Sequence, residues 1–392
     1  MLSEQERFRF YVSVFVASLG FGMYQYFMPV FAQTFGASYF DLGVIGTVWS
    51  LAQASTPMLA GHLADRLNRA WIFSFSLGLN GLATFMLIFS RSVSDIVVLQ
   101  FVGGIGLGVF WPTAEMIVTD LTPIDKRVRE MGRYGIALVL GSLIGPLIGG
   151  LLIERLNYSY LFVSSSAVIT VSFVQVIIWV VPSYSSEEFS HPQNVSGNLR
   201  IIRRLIPWYL MLICDGVIWG LITSIFPGYA YSVGISALFI GLLFTGFALA
   251  RIFSYATAHR YLRFGEKRML VSTSLMISAG IIVLGVLPSF PAFLLGIMLI
   301  GGGTGVIFPI TISLISRQFP EDSAGAGMGS YETSNSIGQT GGPYLAGVLA
   351  SLTSIRSSFL ILSIFGGLMA LFAAKGQTYS SGCKKAKVSL AK

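Results

Sequence analysis

Residues 104–150 read GIGLGVFWPTAEMIVTDLTPIDKRVREMGRYGIALVLGSLIGPLIGG, and residues 301–347 read GGGTGVIFPITISLISRQFPEDSAGAGMGSYETSNSIGQTGGPYLAG. The two stretches are one pattern written twice without a gap. Pro112 answers Pro309, Pro123 answers Pro320, Asp125 answers Asp322, Tyr134 answers Tyr331 and Pro146 answers Pro343, each pair 197 residues apart. Gly104, Gly106, Gly108, Gly132, Gly141, Gly145 and Gly150 recur as glycines at the same offset. Toward the start of each half the offset becomes 198, as in Gly22/Gly220, Pro29/Pro227, Gly36/Gly234 and Gly43/Gly241, whereas His62/His259 is back at 197. One residue is therefore lost between Gly43 and His62. A repeat running from near residue 20 to near residue 350 of a 392-residue chain means two homologous halves.

Composition identifies the solvent of those halves. Hydrophobic residues make up 54%, charged residues 11% and the mean hydropathy is +0.75, against the roughly 25% charged share of a soluble domain. Uncharged runs of about 20 residues, the length that crosses a hydrocarbon layer of ~30 Å, follow one another along the chain. Arg9 to Asp41, Asp41 to Asp65, Arg69 to Arg91, Asp95 to Glu115, Arg133 to Glu154 and Arg155 to Glu187 bracket six in the first half. After Arg204 come two divided by a turn at Pro227–Ser236, two divided at Pro288–Pro291, one from about Gly327 to Thr353, and one from Arg356 to Lys375. The expected fold is an all-α polytopic membrane protein of twelve transmembrane helices in two pseudo-symmetric six-helix bundles. Its expected parts are a first bundle at 1–182, a cytoplasmic linker at 183–205, a second bundle at 206–375 and a basic cytoplasmic tail at 376–392.

Lys and Arg accumulate on the cytoplasmic side of short loops. With the N-terminus inside, 21 of the 25 basic residues fall in cytoplasmic segments, Arg91, Arg155 and Arg356 fall outside, and Arg251 lies within a span. Both termini are thus expected in the cytoplasm. The net charge of +8 is accounted for by topology and lipid headgroups, and nucleic acid is not expected as a partner. The first apolar run is too long for a signal peptide and lacks a small-residue cleavage site. Cys214 and Cys383 belong to a span and to the tail, so no disulfide joins them. His62, His191 and His259 are not grouped with Cys or Glu at metal-ligand spacing, and no cofactor or metal is expected. The absence of a Gly-Lys-Ser/Thr phosphate loop argues against an ATP-driven pump. Asn194-Val195-Ser196 spells a glycosylation triplet in a segment that never meets that machinery.

Two six-helix halves joined by a polar linker resemble the major facilitator superfamily, and the resemblance covers nearly the whole chain. Its most specific carrier is Gly61-His62-Leu63-Ala64-Asp65-Arg66-Leu67-Asn68-Arg69, similar to the family's Gly-x-x-x-Asp-Arg-x-Gly-Arg loop between helices 2 and 3. Asn68 replaces a glycine, and a tolerance of Asn for left-handed backbone would preserve the turn. The resemblance implies a cytoplasmic latch of Asp65, Arg66 and Arg69 with Asp120 that holds the outward-open state. In the second half Leu262 stands where the aspartate would be, so the latch is asymmetric.

Gly141-Ser-Leu-Ile-Gly145-Pro146-Leu-Ile-Gly149-Gly150 is similar to the helix-5 signature of the superfamily's antiporters, chiefly drug/proton exporters. Glycines four apart clear a face for close backbone packing, and Pro146 removes a backbone hydrogen bond and bends the helix. Gly338, Gly342 and Pro343 supply the symmetric hinge in helix 11, with Ala346 in place of one glycine. Two departures weaken the exporter resemblance. Gln100 stands where that branch carries an arginine ahead of a Gly-x-Gly run, and the helix-1 pattern is partial, with Ala32 for a proline.

Ionisable residues inside spans are functional candidates by default, because a charge in hydrocarbon is expensive. Asp215 lies about nine residues, ~14 Å, into helix 7 and Arg251 about eight residues, ~12 Å, from the cytoplasmic end of helix 8, depths at which the two can pair. Asp215 is the first choice for a titrating, coupling carboxylate; the competing reading is a static Asp215–Arg251 ion pair. Glu115 and Glu332 are shallower and point to gating or structure near Arg133. By analogy with the fold, helices 1, 4, 7 and 10 face a central cavity and offer Tyr24, Gln25, Tyr26, Trp111, Asp215, Trp219, Phe308 and Thr311, aromatics suited to a planar or apolar ligand. The same side chains also suit core or interface positions.

The expected function is secondary active transport of a small organic solute by alternating access, as proton-linked efflux. An importer or uniporter of a small metabolite is the alternative, and a membrane enzyme or non-transporting sensor is the third reading, for which no nucleophile–base pair or metal cluster is visible. Expected partners are the solute, membrane lipid and protons, and the expected location is the plasma membrane, multi-pass, as a functional monomer.

Overall fold

In lipid every backbone N–H and C=O must find its partner inside the chain, which a helix achieves within one segment. The computed structural model describes residues 4–64, 67–120, 122, 126–182, 199–261, 265–316 and 324–376, and among them there is no strand. The first half contains α1 (Glu4–Thr34), α2 (Tyr39–Ala64), α3 (Arg69–Phe89), α4 (Val93–Asp120), α5 (Arg127–Arg155) and α6 (Tyr158–Trp179). The second contains α7 (Leu199–Ser224, continued by Phe226–Ser232), α8 (Ala237–Tyr261), α9 (Glu266–Val286), α10 (Phe290–Ser316), α11 (Ala324–Leu352) and α12 (Ile355–Lys375). Among the described residues ten helices are long and apolar enough to cross a membrane; α2 and α11 are not among these. Glu332, Asn335, Ser336 and Gln339 lower the hydropathy of α11. Phe75, Leu82, Val171, Ile178, Phe253 and Leu275 are exposed on the outer faces, as lipid contact requires.

Two local expectations change. Pro227 does not open a turn; it takes the start of the helical segment Phe226–Ser232, where its missing N–H costs nothing, and Pro29 does the same in Met28–Thr34. The turns that follow are short and pivot on Gly36 (φ +80°) and Gly234 (φ +89°), backbone that L side chains disfavour. Helix α7 also runs back to Leu199, into the stretch 183–205 read as linker; residues 183–198 lie outside the described ones.

The repeat is written into the packing. A Cβ on Gly104 would stand 2.5 Å from the Trp49 carbonyl oxygen, and one on Gly301 2.5 Å from that of Phe247. Gly108 meets Gln53 and Thr56, and Gly305 meets Arg251 and Ser254. The offset of 198 therefore persists to Thr56/Ser254, and the lost residue falls between Thr56 and His62.

The halves join by an exchange of small-residue faces. A Cβ on Gly43 of α2 would lie 2.6 Å from the Pro343 carbonyl oxygen of α11, and its repeat mate Gly241 of α8 abuts the Pro146 carbonyl of α5. Gly347 meets Tyr39 and Gly43, and Gly150 meets Ala237 and Leu238. Tyr26 stacks on Phe244 with centroids 3.9 Å apart, and the Tyr39 and Ser232 hydroxyls are 2.8 Å apart. These contacts belong to the far end of the molecule, which carries the Gly36 and Gly234 turns. At the opposite, basic end a Cβ on Gly61, Gly132, Gly135 or Gly329 would meet nothing within 4 Å. The two halves thus close at the far end and part at the basic end.

One far-end contact breaks the symmetry. In α2 the Ser38/Asp41 pair forms a capping box, the Asp41 carboxylate accepting from the Ser38 N–H (2.8 Å) and the Ser38 hydroxyl oxygen accepting from the Asp41 N–H (3.2 Å). Phe239 occupies the corresponding place in α8, and the carboxylate comes instead from Glu154 of α5, which accepts from the Leu238 N–H at 3.2 Å. The first turn of α8 is capped by the other half.

Two predictions follow from these contacts. Gly145→Ala drives a Cβ to 2.7 Å from the Gly22 backbone of α1, and a crowded backbone cannot yield as a side chain would. It should lower the thermal midpoint by an amount equivalent to about 1–3 kcal/mol, whereas Gly132→Ala, in open space, should leave it unchanged or raise it. Loss of the α8 cap in Glu154→Ala should weaken far-end closure by about 1 kcal/mol, roughly five-fold in population. A cysteine introduced at the buried Ala230, in a chain lacking Cys214 and Cys383, should then react correspondingly faster with an impermeant maleimide; unchanged labelling would show that the cap does not hold that end.

Candidate functional site

Residues four apart share one face of a helix, and three such faces converge within the second half. Helix α7 presents Asp215 and Trp219, α8 presents Arg251 and Tyr255, and α11 presents Tyr331, Asn335 and Gln339. The Gln339 amide nitrogen donates to the Asn335 side-chain oxygen, and the Asn335 amide nitrogen donates to Asp215 Oδ2 at 3.5 Å. Asp215 Oδ1 is buried without a hydrogen-bond partner. The Arg251 guanidinium carbon lies 5.0 Å from the Trp219 ring centroid and 5.6 Å from that of Tyr255, within cation–π range. Its Nε is buried and unpartnered.

Asp215 and Arg251 therefore do not form the direct ion pair that their depths allowed. Among the described residues the salt bridges within 4.0 Å include Arg7–Glu130, Arg69–Asp120, Arg133–Glu4 and Arg133–Glu130, and none joins Asp215 to Arg251. The two aromatic rings hold the guanidinium, and the amide chain on α11 holds the carboxylate. Each charge is near enough to feel the other, yet each keeps an unsatisfied atom.

The remaining cavity candidates divide. Trp219 supports Arg251, and Phe308 packs edge-on against Tyr331 at 5.6 Å. Gln25 is partly buried in the short turn Gln25–Phe27 that interrupts α1. Trp111 is partly buried, edge-to-face with Phe110 at 5.3 Å. Tyr26 is committed to the inter-half stack on Phe244. Tyr24, 6% exposed, belongs to the apolar core. Thr311 is fully buried and its hydroxyl donates to the Ile307 carbonyl of its own helix, so it offers nothing to a ligand.

At the basic end Arg69 Nη1 donates to both Asp120 oxygens at 2.7 Å, with both side chains about nine-tenths buried. Asp65 and Arg66, the other latch candidates, lie outside the described residues. Asn68 is not left-handed. With φ −60° and ψ 118° it caps α3, its side-chain oxygen accepting from the Ala70 N–H at 2.9 Å, which is why Asn serves where the family's loop has glycine. Glu115 of α4 and Glu332 of α11 are exposed where the halves part, close enough for their charges to interact. Neither meets Arg133, whose partners are Glu130 at 2.9 Å and Glu4 at 3.8 Å. Glu130, 3% exposed, also accepts from the Tyr11 hydroxyl at 2.7 Å and ties α1 to α5.

Sequence reasoning passed over Glu130, Glu154, Asn335 and Gln339. The stripe Tyr331–Asn335–Gln339 carried a usable signal, since polar residues at steps of four in a membrane helix define a face that cannot look at lipid. Glu130 and Glu154 carried none, because each lies at a span edge where a carboxylate is ordinary.

A family profile described as Major Facilitator Superfamily matches residues 10–213 and again 208–382, one match for each half. The chain belongs to the Major Facilitator Superfamily. It is a multi-pass plasma-membrane transporter of that superfamily. It is 23% identical over 381 residues to an uncharacterised MFS-type transporter of Methanocaldococcus jannaschii, covering 92% of this chain and 95% of the relative. It is also 23% identical over 349 residues to the quinolone resistance protein NorA of Staphylococcus aureus, covering 87% and 89%. Among solved structures, the nucleoside transporter NupG superposes with a TM-score of 0.79 at 13% identity, covering 96% of this chain and 100% of that one. A bacterial homologue of the human lysosomal transporter Spinster, inward-facing and occupied, superposes with a TM-score of 0.77 at 16% identity, covering 97% and 100%. The superfamily fold thus underlies the exchanged faces.

The Arg69–Asp120 pair yields a stability test. Asp120→Ala leaves a nearly buried guanidinium short of its bidentate acceptor and should cost on the order of 1–3 kcal/mol. The double variant Arg69→Ala/Asp120→Ala should lose less than the sum of the singles. Additive losses in thermal midpoint would mean that the two side chains act independently.

Proposed function

We propose that this superfamily member is a secondary active transporter that exports a small organic solute in exchange for protons, with twelve membrane crossings and both termini in the cytoplasm. In this reading residues 1–182 and 206–375 are the rocking bundles, the linker begins at 183, and 376–392 form a cytoplasmic tail. The basic end faces the cytoplasm, so closure at the far end makes the conformation inward-open. The Arg69–Asp120 pair, with Asp65 and Arg66, belongs to the latch that restrains the opposite state.

The observation that carries the reading is Asp215. It is a mid-span carboxylate beside the cleft, with one oxygen held by Asn335 and the other unpartnered, and no direct salt bridge neutralises it. Export is supported by the glycine face Gly141–Gly150 and by the resemblance to NorA over most of both chains. The two readings differ at Gln100, which is 8% exposed and replaces the exporter arginine; it favours import or uniport as the second reading. Glu115 and Glu332 act in this scheme as mouth residues that must approach when the cytoplasmic end shuts.

Asp215→Asn keeps shape and hydrogen-bonding capacity but cannot release a proton. In vesicles containing the reconstituted protein and a trapped pH dye, solutes that shift the melting point of the purified protein should dissipate a pH gradient through the wild type. They should not do so through Asp215→Asn, while their melting-point shift persists. Full gradient-driven exchange by the variant would remove Asp215 as the coupling carboxylate.

A further inference from the structure

The repeat exposes what the Asp215 and Arg251 charges are not for. At the offset of 198, Asp215 answers Ala17 and Arg251 answers Gln53, and the matched contacts of Gly305 with Arg251 and Gly108 with Gln53 confirm the second equivalence. The first half builds the same bundle with neither charge. Holding α7 to α8 does not require them, and a structural pair would have closed into direct contact, because a buried charge left short of its partner is costly.

We propose that Asp215 and Arg251 are the two poles of a binding site for an amphoteric organic solute, one carrying both an ammonium and a carboxylate on a short aromatic or apolar body. The inference rests on the transport reading and names its substrate class. Each pole is prepared differently. Trp219 and Tyr255 lie within cation–π range of the guanidinium and Tyr255 also hydrogen-bonds it, while the buried Nε has no partner and is a donor for a carboxylate, whose two oxygens match the fork. The Gln339–Asn335 chain fixes one Asp215 oxygen and leaves Oδ1 unpartnered, an acceptor for an ammonium. Trp219, Tyr255, Phe308 and Tyr331, successively in ring contact or bridged by Arg251, give the body of such a ligand an aromatic wall.

A singly charged solute answers one pole and leaves the buried atom of the other, Asp215 Oδ1 or Arg251 Nε, without a partner, whereas an amphoteric one answers both. The same geometry links the site to exchange. An ammonium and a proton compete for the Asp215 carboxylate, so arrival of one favours departure of the other.

Three probes on one ring separate the possibilities: 4-(aminomethyl)benzoate, 4-methylbenzoate and 4-methylbenzylamine. Calorimetric titration of the purified full chain should give the amphoteric probe at least ten-fold tighter binding than either singly charged one. Asp215→Asn should bring the amphoteric probe down to the affinity of the acid while leaving the acid unchanged. Arg251→Lys, which keeps the charge but loses the fork, should weaken both carboxylate probes and spare the amine. Equal binding of acid and amphoteric probe would make the site an anion site; equal binding of amine and amphoteric probe would make it a cation site; either result, or no binding by any of the three, overturns the proposal. The wild-type comparison decides this even if a variant fails to fold. Because no gradient is applied, tight amphoteric binding without proton movement in vesicles would retain this site and reject the exporter reading.

Discussion

Close approach of backbone to backbone is the contact on which everything else here depends. Lipid offers no hydrophobic penalty for separating two helices, so their association rests on dispersion and on how near the main chains come. Glycines on α5 provide that nearness twice. Gly141 and Gly145 lie against α1 of their own half, while Pro146 and Gly150 lie against α8 of the other. Gly338 and Gly342 lie against α7, and Pro343 and Gly347 against α2. Helices α5 and α11 therefore each pack on their own bundle through one stretch and on the other half through the next.

The gate has few directional bonds. Across the described far-end seam they include Tyr39–Ser232, Glu154–Leu238 and Thr245–Leu143, and the rest is surface against surface. Such an interface can separate as rigid bodies without orphaning many polar groups, the property a rocking transporter needs. Within the first half, by contrast, charged ties are strong: Arg69–Asp120 joins α3 to α4, and Glu130 joins α1 to α5. These strong ties thus lie inside a bundle, and the contacts between the halves are mostly adaptable surface.

On this symmetric frame the chemistry is one-sided. Asp215, Arg251, Asn335 and Gln339 have as repeat counterparts Ala17, Gln53, Leu138 and Ser142. A duplicated scaffold supplies its own control: features present in both halves serve packing, and features present in one are free to serve a ligand. The two charged poles and the amide chain of the inferred amphoteric site belong to the unshared set.

Much of this was legible in the residues. The glycine and proline repeat announced two bundles and the faces that join them, because only small residues permit those distances and their spacing survives in the chain. That Asp215 and Arg251 lie inside long apolar helices followed from counting, since both fall well within otherwise uncharged runs. Arg69 and Asp120 were recognisable from their loop. The partners were not. Asn335 reaches Asp215 from 120 positions away and Tyr11 reaches Glu130 from 119, and Arg251 turned to Trp219 and Tyr255 rather than to the aspartate. Periodicity assigns a residue to a face and a depth because those depend on local backbone geometry. Which face meets which, and which rotamer satisfies a buried charge, depends on atoms brought together from distant segments, and that competition is resolved only when the bundles pack.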